Sequence, residues 1–282
     1  MKKQKLLVSF SGGETSAYMA KWLIDNRSDE YEMAFVFANT GEENEETLNF
    51  VNRCDKEWNL GVVWVEAKVN PENGKGTRHK IVNYQTASRK GEPFEDVIKK
   101  YGIPNQNFPH CNRELKLYPI HSYIKSIGWQ EYYTAIGIRA DEFDRVSSHR
   151  IKNKLIYPFV EFKRMTKQKV NHWWSKQPFR LNLKGYQTNC KACWKKNIKK
   201  LHQIAKEDKR NFDFVKAMES KYGQNKYTFF REGKSANEIV KESSKSNEKI
   251  RDVHQDSAYQ IDLFDMIDDV ESCDIYSNCG DL

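Results

Sequence analysis

Residues 5–16 read KLLVSFSGGETS, an apolar run that passes directly into a turn of small and polar residues. The apolar half, Leu6 to Phe10, is rich in strand formers, and residues 17–24 carry apolar side chains at helical spacing. A strand, a glycine-rich turn and a helix in this order direct backbone N–H groups and the positive end of the helix dipole at an anion. The sequence therefore predicts a phosphate-binding turn at residues 11–16.

The side chains of this turn suit a phosphate. Gly12 and Gly13 allow a tight backbone that comes close to phosphate oxygens. Ser11, Thr15 and Ser16 add hydroxyl donors without extra charge. The turn has neither the Lys-Ser/Thr ending of the common P-loop nor the G-x-G-x-x-G spacing of a dinucleotide fingerprint. The alternative to a phosphate-binding turn is an ordinary strand–helix turn capped by a serine.

Strands and helices alternate along the first part of the chain. Further strand-like apolar runs occupy residues 33–38, 62–67, 132–138 and 155–159. Strands that alternate with helices form a parallel sheet covered on both faces, which predicts an α/β, Rossmann-like fold. Ligands of such sheets bind outside the carboxyl ends of the strands, so the turns at 11–16 and 39–43 should face one pocket.

Composition divides the chain into three expected segments. Residues 1–165 should form the α/β domain that binds the anion, with the polar residues 70–108 as an excursion over its pocket. Residues 166–230 should form a basic, helical Cys-x-x-Cys segment packed on that domain, as part of a mixed, largely helical C-terminal extension. Residues 231–282 should be a partly disordered, acidic tail.

The chain of 282 residues carries a net charge of +8 that is unevenly distributed. Residues 163–210 contain fifteen Lys or Arg against two acids, whereas residues 252–282 contain nine acids and no Lys or Arg. This pattern predicts either an anionic partner, such as a nucleic acid, or an acidic tail that covers the basic face. No apolar run reaches the length of a membrane span and no secretion signal is evident, so we expect a cytoplasmic protein without a membrane partner.

Six cysteines in such a chain favour metal, cluster or catalytic thiols over disulfides. Cys190 and Cys193 at a predicted helix start, with the distant Cys111, fit a [4Fe–4S] cluster that leaves one iron open for sulfur or substrate. His110 as a fourth ligand would give a closed cluster or a Cys₃His zinc site. A pair of unliganded, redox-active thiols is the alternative. Neighbouring lysines are expected to lower the pKa values of the thiols.

Six motifs occur in the order typical of one family. They are SGGETS (11–16), NTGEENEET (39–47), HCNRELKLYPI (110–120), GIRADEFDR (137–145), IYPFVEF (156–162) and CKAC (190–193). Together they resemble the phosphoadenosine-phosphosulfate (PAPS) reductase family of the adenine-nucleotide α-hydrolase superfamily, and within it the stand-alone members often carried by phages. The resemblance covers residues 5–200.

The resemblance implies a Rossmann-like sheet that binds an adenine nucleotide, ATP or PAPS, with Mg²⁺. The implied residues are Ser11, Gly12, Gly13, Thr15 and Ser16 on phosphate, Asn39, Thr40 and Gly41 near the nucleotide, and Arg139 and Arg145, with catalytic roles, on anionic groups. For the two arginines, salt bridges to Asp141, Glu142 or Asp144 are the alternative.

Three departures from the family pattern refine this expectation. The usual acid of the second motif is here Asn39, which leaves Glu42 or Glu43 as substitute Mg²⁺ ligands. The paired cysteines of cluster-bearing reductases are here His110-Cys111. Reductases commonly have an eroded first motif because their substrate lacks a pyrophosphate leaving group. SGGETS is intact, which favours ATP over a sulfonucleotide.

We therefore expect an enzyme that uses ATP to adenylate an acceptor with release of pyrophosphate, after which sulfur displaces the adenylate. A nucleic acid is the candidate acceptor, and a sulfur or electron donor protein is a further expected partner. The first alternative is a sulfonucleotide reductase in which Cys279, in a Cys-Gly pair similar to that of true reductases, attacks sulfur. The second alternative is a nucleotide-binding protein without catalytic activity.

Overall fold

The computed structural model describes residues 2–72, 74–187, 190–224, 228–231, 233–246, 250 and 252. At its centre is a six-stranded sheet with the strand order β4-β3-β2-β1-β5-β6. The strands are β1 (Gln4–Ser9), β2 (Tyr31–Asn39), β3 (Val63–Lys68), β4 (Arg78–Val82), β5 (Tyr133–Ala135) and β6 (Leu155–Ile156). All neighbouring strands pair in parallel except β3 and β4, which are antiparallel. The predicted α/β fold with a mainly parallel sheet is confirmed.

Helices cover both faces of this sheet and form the C-terminal part of the described chain. They are α1 (Glu14–Arg27), α2 (Glu45–Trp58), α3 (Glu92–Tyr101), α4 (Tyr118–Ser126), α5 (Pro158–Glu161), α6 (Lys167–Trp174), α7 (Ile198–Glu207), α8 (Asp213–Tyr222) and α9 (Ala236–Ser243). A π-helical turn, Arg113–Leu117, leads into α4, and a 3₁₀ helix, Ala140–Arg145, follows β5. No helix within the described ranges has the length and apolar character needed to cross a membrane.

The central strand β1 contributes side chains to a core on each face of the sheet, since successive residues of a strand point to opposite sides. Leu6 and Val8 pack with apolar side chains of α1, α2 and α6, whereas Leu7 packs with those of α4. Burial on both faces explains why β1 is a continuous apolar run.

The C-terminal extension is helical and packs on α3. Leu201 and Ile204 of α7 and Met218 of α8 share a core with Val97 and Ile98 of α3. The segment boundaries at 165 and 230 stay predictions. Helix α6, beyond the first boundary, contributes to the same core as α1.

Two elements differ from the expectation. Residues 70–108 contain the strand β4 and the helix α3 rather than only an irregular excursion. β4 is an edge strand with exposed Arg78 and Lys80, and charges that protect a sheet edge also hide the strand in the sequence. Pro158 begins α5 instead of ending a strand, because the first helical position needs no N–H donor.

Candidate nucleotide and thiol site

The turn between β1 and α1 is braced from inside by two serines. Ser11 Oγ donates a hydrogen bond to Ser16 Oγ (2.9 Å), and Ser16 Oγ donates to the Gly13 carbonyl (3.0 Å). Gly13 is the N-cap of α1, and no side chain in the described part of the protein caps it. Because the first N–H groups of a helix have no partner within the helix, an uncapped start of this kind suits an anion.

Glycines let this turn pack closely against its neighbours. Gly12 has a φ of +82°, a region that favours glycine, and a Cβ there would lie 2.7 Å from Thr47 Cγ2 of α2. A Cβ on Gly137, which follows β5, would lie 3.0 Å from Ser16 Cα. The turn is therefore in close contact with α2 and with the segment that follows β5.

The first residue of α1 is a buried carboxylate, Glu14, which is 3% exposed. Arg180 donates to both of its oxygens, from Nε to Oε1 (2.9 Å) and from Nη2 to Oε2 (2.8 Å). The Leu181 N–H donates to Oε1 (3.2 Å), and Trp174 Nε1–H donates to the Glu14 carbonyl (2.9 Å). The sequence does not predict the ion pair of Glu14 with Arg180, because no local pattern links two residues so far apart in the chain.

Asn39 ends β2 and is fully buried. Its Nδ2 donates to Glu66 Oε1 (2.7 Å) and to the Ser88 carbonyl (2.9 Å), and its Oδ1 accepts from the Gly41 N–H (3.3 Å). The amide is thus engaged inside the protein, and its role near the nucleotide stays a prediction. An acid at this position would face the carboxylate of Glu66.

The turn after β2 is joined to the Cys-x-x-Cys motif. Thr40 donates from its N–H and its Oγ1 to the two carboxylate oxygens of Glu43 (3.0 and 2.8 Å). Thr40 Oγ1 also lies 3.5 Å from Cys190 Sγ. Glu43 and Cys190 form an antiparallel β-bridge, beside which the Lys191 N–H donates to the Glu42 carbonyl (3.0 Å). The fold therefore brings the predicted nucleotide turn at 39–43 and the predicted thiols into contact.

The three predicted cysteines line one cavity, which we call the thiol cavity. Cys111 precedes the π-helical turn, which itself contributes Lys116, and such turns occur frequently at functional sites. Most of the other lining side chains are apolar: Phe94, Leu115, Ala192, Trp194, Phe214, Val215 and Phe230. The volume of about 40 Å³ holds a few waters, so the cavity suits a small group rather than a nucleotide.

Two titratable groups of the thiol cavity have raised pKa values. Burial raises the pKa of the Cys190 thiol, the Glu43 carboxylate raises it further, and Lys116 opposes both. The expectation that lysines would lower this pKa is wrong for Cys190, because desolvation of the thiolate outweighs the attraction of a nearby ammonium. Burial likewise raises the pKa of Glu42 to about 7, against the attraction of Lys191.

His110 is not among the residues that line the thiol cavity. Its Nδ1 lies 3.1 Å from the Phe108 carbonyl, and burial lowers the pKa of the ring to about 4. Thiolates suit iron or zinc. Among the described residues, however, no three His, Cys, Asp or Glu side chains are grouped to hold a metal ion. As arranged here, Cys111, Cys190 and Cys193 do not form a ligand set, and the cluster and the zinc ion stay predictions.

Comparison with known proteins identifies the family. A family model described as the phosphoadenosine phosphosulfate reductase domain matches residues 5–171, which is more than half of the chain. The chain belongs to the PAPS reductase family. The family predicted from the motifs is thereby confirmed, and with it a relationship to proteins that bind nucleotides and act on sulfur compounds.

Relatives of this PAPS reductase-family chain occur in a phage and in an archaeon. The uncharacterised nin-region protein ORF290 of Escherichia phage lambda is 34% identical over 207 residues, which cover 72% of this chain and 70% of that protein. Two uncharacterised proteins of Methanocaldococcus jannaschii are 25% and 26% identical over 150 and 171 residues. These matches cover 53% and 57% of this chain but only 26% and 34% of those proteins.

A solved structure is also similar to this chain. The crystal structure of phosphoadenylyl-sulfate reductase from Candida auris, in complex with phosphate, is 13% identical with a TM-score of 0.38. The similarity covers 63% of this chain and 74% of that chain.

The arginines of the family motif at 137–145 pair with acids of the same motif. Arg139, 3% exposed, donates from Nε to Asp141 Oδ1 (3.1 Å), and its Nη1 lies 3.6 Å from Glu142 Oε2. Arg145 pairs with the other oxygen of Glu142. Both arginines follow β5, at the edge of the sheet where the predicted phosphate-binding turn lies. Binding of anionic groups by these two arginines stays a prediction. Such binding would have to occur alongside these ion pairs or replace them.

Part of the basic segment 163–210 makes contacts within this PAPS reductase-family protein, at its surface as well as in its interior. Lys184 pairs with Glu207 (2.6 Å), and the buried Lys196 donates to the Cys190 carbonyl (2.7 Å). The predicted nucleic-acid surface therefore rests on the more exposed members of the segment, which include Lys206, Lys209 and Arg210. Nucleic-acid binding stays a prediction.

One predicted catalytic residue falls outside the described residues. Cys279 belongs to residues 253–282, as does most of the acidic tail. Asp252 is described, and its Oδ1 accepts a hydrogen bond from the Gly185 N–H (3.1 Å).

Proposed function

We propose that this protein is an ATP-dependent sulfur-transfer enzyme that adenylates an acceptor and releases pyrophosphate. The observation that carries the proposal is the uncapped start of α1 at the carboxyl end of the central strand, with Gly12 at a φ of +82°. The first N–H groups of a helix and the helix dipole favour a multiply charged anion such as the tail of ATP. The same donors would stabilise pyrophosphate as it leaves.

The proximity of thiols supports sulfur as the second reactant. β1 and β2 are paired neighbours, with Ser9 beside Val36, so the turns after them lie at the same edge of the sheet. Thr40, in the turn after β2, lines the thiol cavity and contacts Cys190. An adenylate formed at the first turn would therefore lie near sulfur carried in the cavity.

The proposed reaction has two stages. An acceptor oxygen attacks the α-phosphorus of ATP, the bond to the bridging oxygen of the β-phosphate breaks, and pyrophosphate leaves. The terminal sulfur of a persulfide on one cysteine, supplied by a sulfur donor, then attacks the acceptor carbon, and AMP leaves with the former acceptor oxygen. The thiol of a second cysteine attacks the inner sulfur, which releases the thiolated acceptor and leaves a disulfide that a dithiol reductant reopens.

Cys190 and Cys193 are the candidate pair for this chemistry. Both line the thiol cavity, and the Cys193 N–H donates to the Cys190 carbonyl (3.3 Å), which closes a tight turn between them. The space of about 40 Å³ beside them suits one added sulfur atom. The apolar walls would limit hydrolysis of a persulfide by keeping water out.

Mg²⁺, when bound, would neutralise charge on the phosphates. The amide of Asn39 and the carboxylate of Glu43 are both engaged by neighbouring groups, and the pKa of Glu42 is about 7. These three residues thus do not form a ready set of ionised ligands. We expect the ion to be held mainly by phosphate oxygens and water.

The test is pyrophosphate release from ATP by anaerobically purified protein. Gly12→Ala should lower the rate at least tenfold, because the added Cβ would overlap Thr47 and reshape the turn. Gly61→Ala is the matched control: Gly61 has a φ of +67°, and no described atom lies within 4 Å of the point that a Cβ would occupy. It should reduce stability similarly through its backbone without changing the rate.

Two outcomes would contradict the proposal. Sulfite release from PAPS or adenylyl sulfate, abolished by Cys279→Ser and without pyrophosphate release from ATP, favours a sulfonucleotide reductase. A rise in melting temperature with ATP but no turnover favours a binding protein. Iron and zinc analysis of the same sample tests the predicted cluster separately.

A further inference from the structure

A carboxylate occupies the start of the helix at which we propose that polyphosphate binds. Glu14 is the first residue of α1 and is buried. An unpaired negative charge at this point would repel a bound phosphate, and the repulsion would be strong because little water screens it. Anion binding at this turn therefore requires that Glu14 be neutralised.

Arg180 supplies that neutralisation with a planar, two-point contact. Its Nε and Nη2 bond to the two oxygens of Glu14 at 2.9 and 2.8 Å. A guanidinium fork of this kind fixes the direction of a carboxylate as well as its charge. The Leu181 N–H adds a third hydrogen bond to Oε1 (3.2 Å).

The backbone of Glu14 is held as well. Trp174 is 1% exposed, and its indole N–H donates to the Glu14 carbonyl at 2.9 Å. Since that carbonyl belongs to the first turn of α1, this contact restrains the peptide groups that face a ligand. Trp174, Arg180 and Leu181 all come from the end of α6 and the segment that follows it.

We propose that the contacts of Trp174, Arg180 and Leu181 with Glu14 form a clamp that sets the anion affinity of the phosphate-binding turn. Arg180 is its main positioning residue: it cancels the charge of Glu14 and fixes the turn, without contact to the nucleotide. This inference deepens the proposed function and rests on it for the identity of the ligand. It assigns to the segment after α6 a role in nucleotide binding.

The decisive experiment measures the dissociation constant of MgATP for a cycle of variants. Arg180→Gln should weaken binding at least tenfold, and Arg180→Lys should weaken it less, because lysine keeps the charge but not the fork. Glu14→Gln should bind within threefold of the wild type. The double variant Glu14→Gln/Arg180→Gln should regain binding to within threefold of Glu14→Gln, since no buried charge is left unpaired.

A matched control lies at the other end of the same helix. Arg27 pairs with Glu30, and both side chains are partly exposed. Arg27→Gln removes the same charge about 20 Å away and should leave the affinity for MgATP unchanged. Equal binding by Arg180→Gln and the wild type, or a double variant as weak as Arg180→Gln, would overturn the clamp.

Hydrogen exchange without nucleotide separates this inference from the proposed function. The amides of residues 17–19, which donate to the carbonyls of the first turn of α1, should exchange faster in Arg180→Gln than in the wild type or Arg27→Gln. If the wild type binds no adenine nucleotide, the proposed function fails, and inorganic tripolyphosphate replaces MgATP in the cycle. Unchanged exchange and unchanged tripolyphosphate affinity in Arg180→Gln would then overturn the clamp on its own.

Discussion

The predicted phosphate-binding turn and the thiol cavity follow neighbouring strands, yet they are built in opposite ways. The turn is one continuous run, residues 11–16, with a hydrogen bond between its first and last side chains. The cavity draws on separate parts of the chain from Thr40 to Phe230, and its walls are mostly apolar. The turn is encoded locally, whereas the cavity forms only when distant segments fold together.

This difference extends to how the two regions treat charge. At the turn, the buried carboxylate of Glu14 is matched by a guanidinium. In the cavity, the cost of burying a charged group exceeds the attraction of the nearby lysines, and the pKa values of Glu42 and Cys190 are therefore raised. The buried charge of the first region is thus compensated by a partner, whereas burial in the second favours the protonated forms of Glu42 and Cys190.

The largest effect is expected at Asn39, which ends β2 immediately before Thr40 of the thiol cavity. Asn39→Asp would place a carboxylate 2.7 Å from Glu66 Oε1 and remove two donors, and the neighbouring Lys80, at 3.8 Å from Glu66, is largely exposed. We expect a loss of about 3 kcal/mol in the free energy of unfolding at pH 8. The loss should be smaller at pH 5, because protonation of the introduced carboxyl relieves the repulsion. Urea denaturation at both pH values measures it.

A second substitution tests the cause of that loss. Adding Glu66→Gln to Asn39→Asp should restore most of the stability, because a single acid then faces an amide once more. Wild-type stability of Asn39→Asp at pH 8 would show that the Asn39–Glu66 contact is unimportant.

A smaller effect on the free energy of unfolding is expected from the titration of Glu42. Its folded pKa of about 7 lies above its ordinary value near 4.5, so the folded state binds the extra proton and stability falls as pH rises between these values. Glu42→Gln removes this contribution of Glu42 to the pH dependence of stability. Its stability relative to the wild type should therefore grow by roughly 2 kcal/mol from pH 4.5 to 7 and stay level above.

Glu219 provides a matched comparison outside both regions. Burial raises its pKa to about 7, although the Ala236 and Phe230 N–H groups oppose the shift. Glu219→Gln should change the pH profile of stability in the same direction as Glu42→Gln. A difference between wild type and Glu42→Gln that is constant from pH 4.5 to 8 would contradict the raised pKa of Glu42.

The smallest effect on stability is expected for Gly13→Ala. Gly13 has a φ of −96°, and a Cβ there would meet only Ser11 Oγ, at 3.8 Å, among the described atoms. The free energy of unfolding should change by less than about 0.5 kcal/mol. Calorimetry should nevertheless detect weaker MgATP binding, because the methyl group would stand where the proposed ligand brings its phosphate oxygens. Unchanged affinity would mean that the ligand does not approach this residue.

The same contrast explains how much could be predicted from sequence. The apolar run of β1 and its glycine turn are local signals that predict the position of the first turn, and the alternation of strand-like and helical runs predicts the α/β fold. The family motifs add the turn after β2 and the Cys-x-x-Cys motif. Their contact through Thr40 and Cys190 depends on residues 150 positions apart and has no local signal.

Other features could not be predicted for physical reasons. β4 has charged side chains where a buried strand would have apolar ones, so its sequence is that of a loop. The raised pKa of Cys190 depends on its burial, which adjacent lysines do not reveal. Glu14 looks like an ordinary acid at a helix start until its partner is known.

The distance in sequence between Glu14 and Arg180 also bears on synthesis of the chain. The turn leaves the ribosome early, whereas its partner follows 166 residues later. Until Arg180 emerges, burial of Glu14 would leave an unpaired charge in the interior, so the nascent chain should keep this end of the sheet hydrated. The end of the sheet that carries the predicted phosphate-binding turn would then close only after the chain has been made beyond Arg180, about two-thirds of its length.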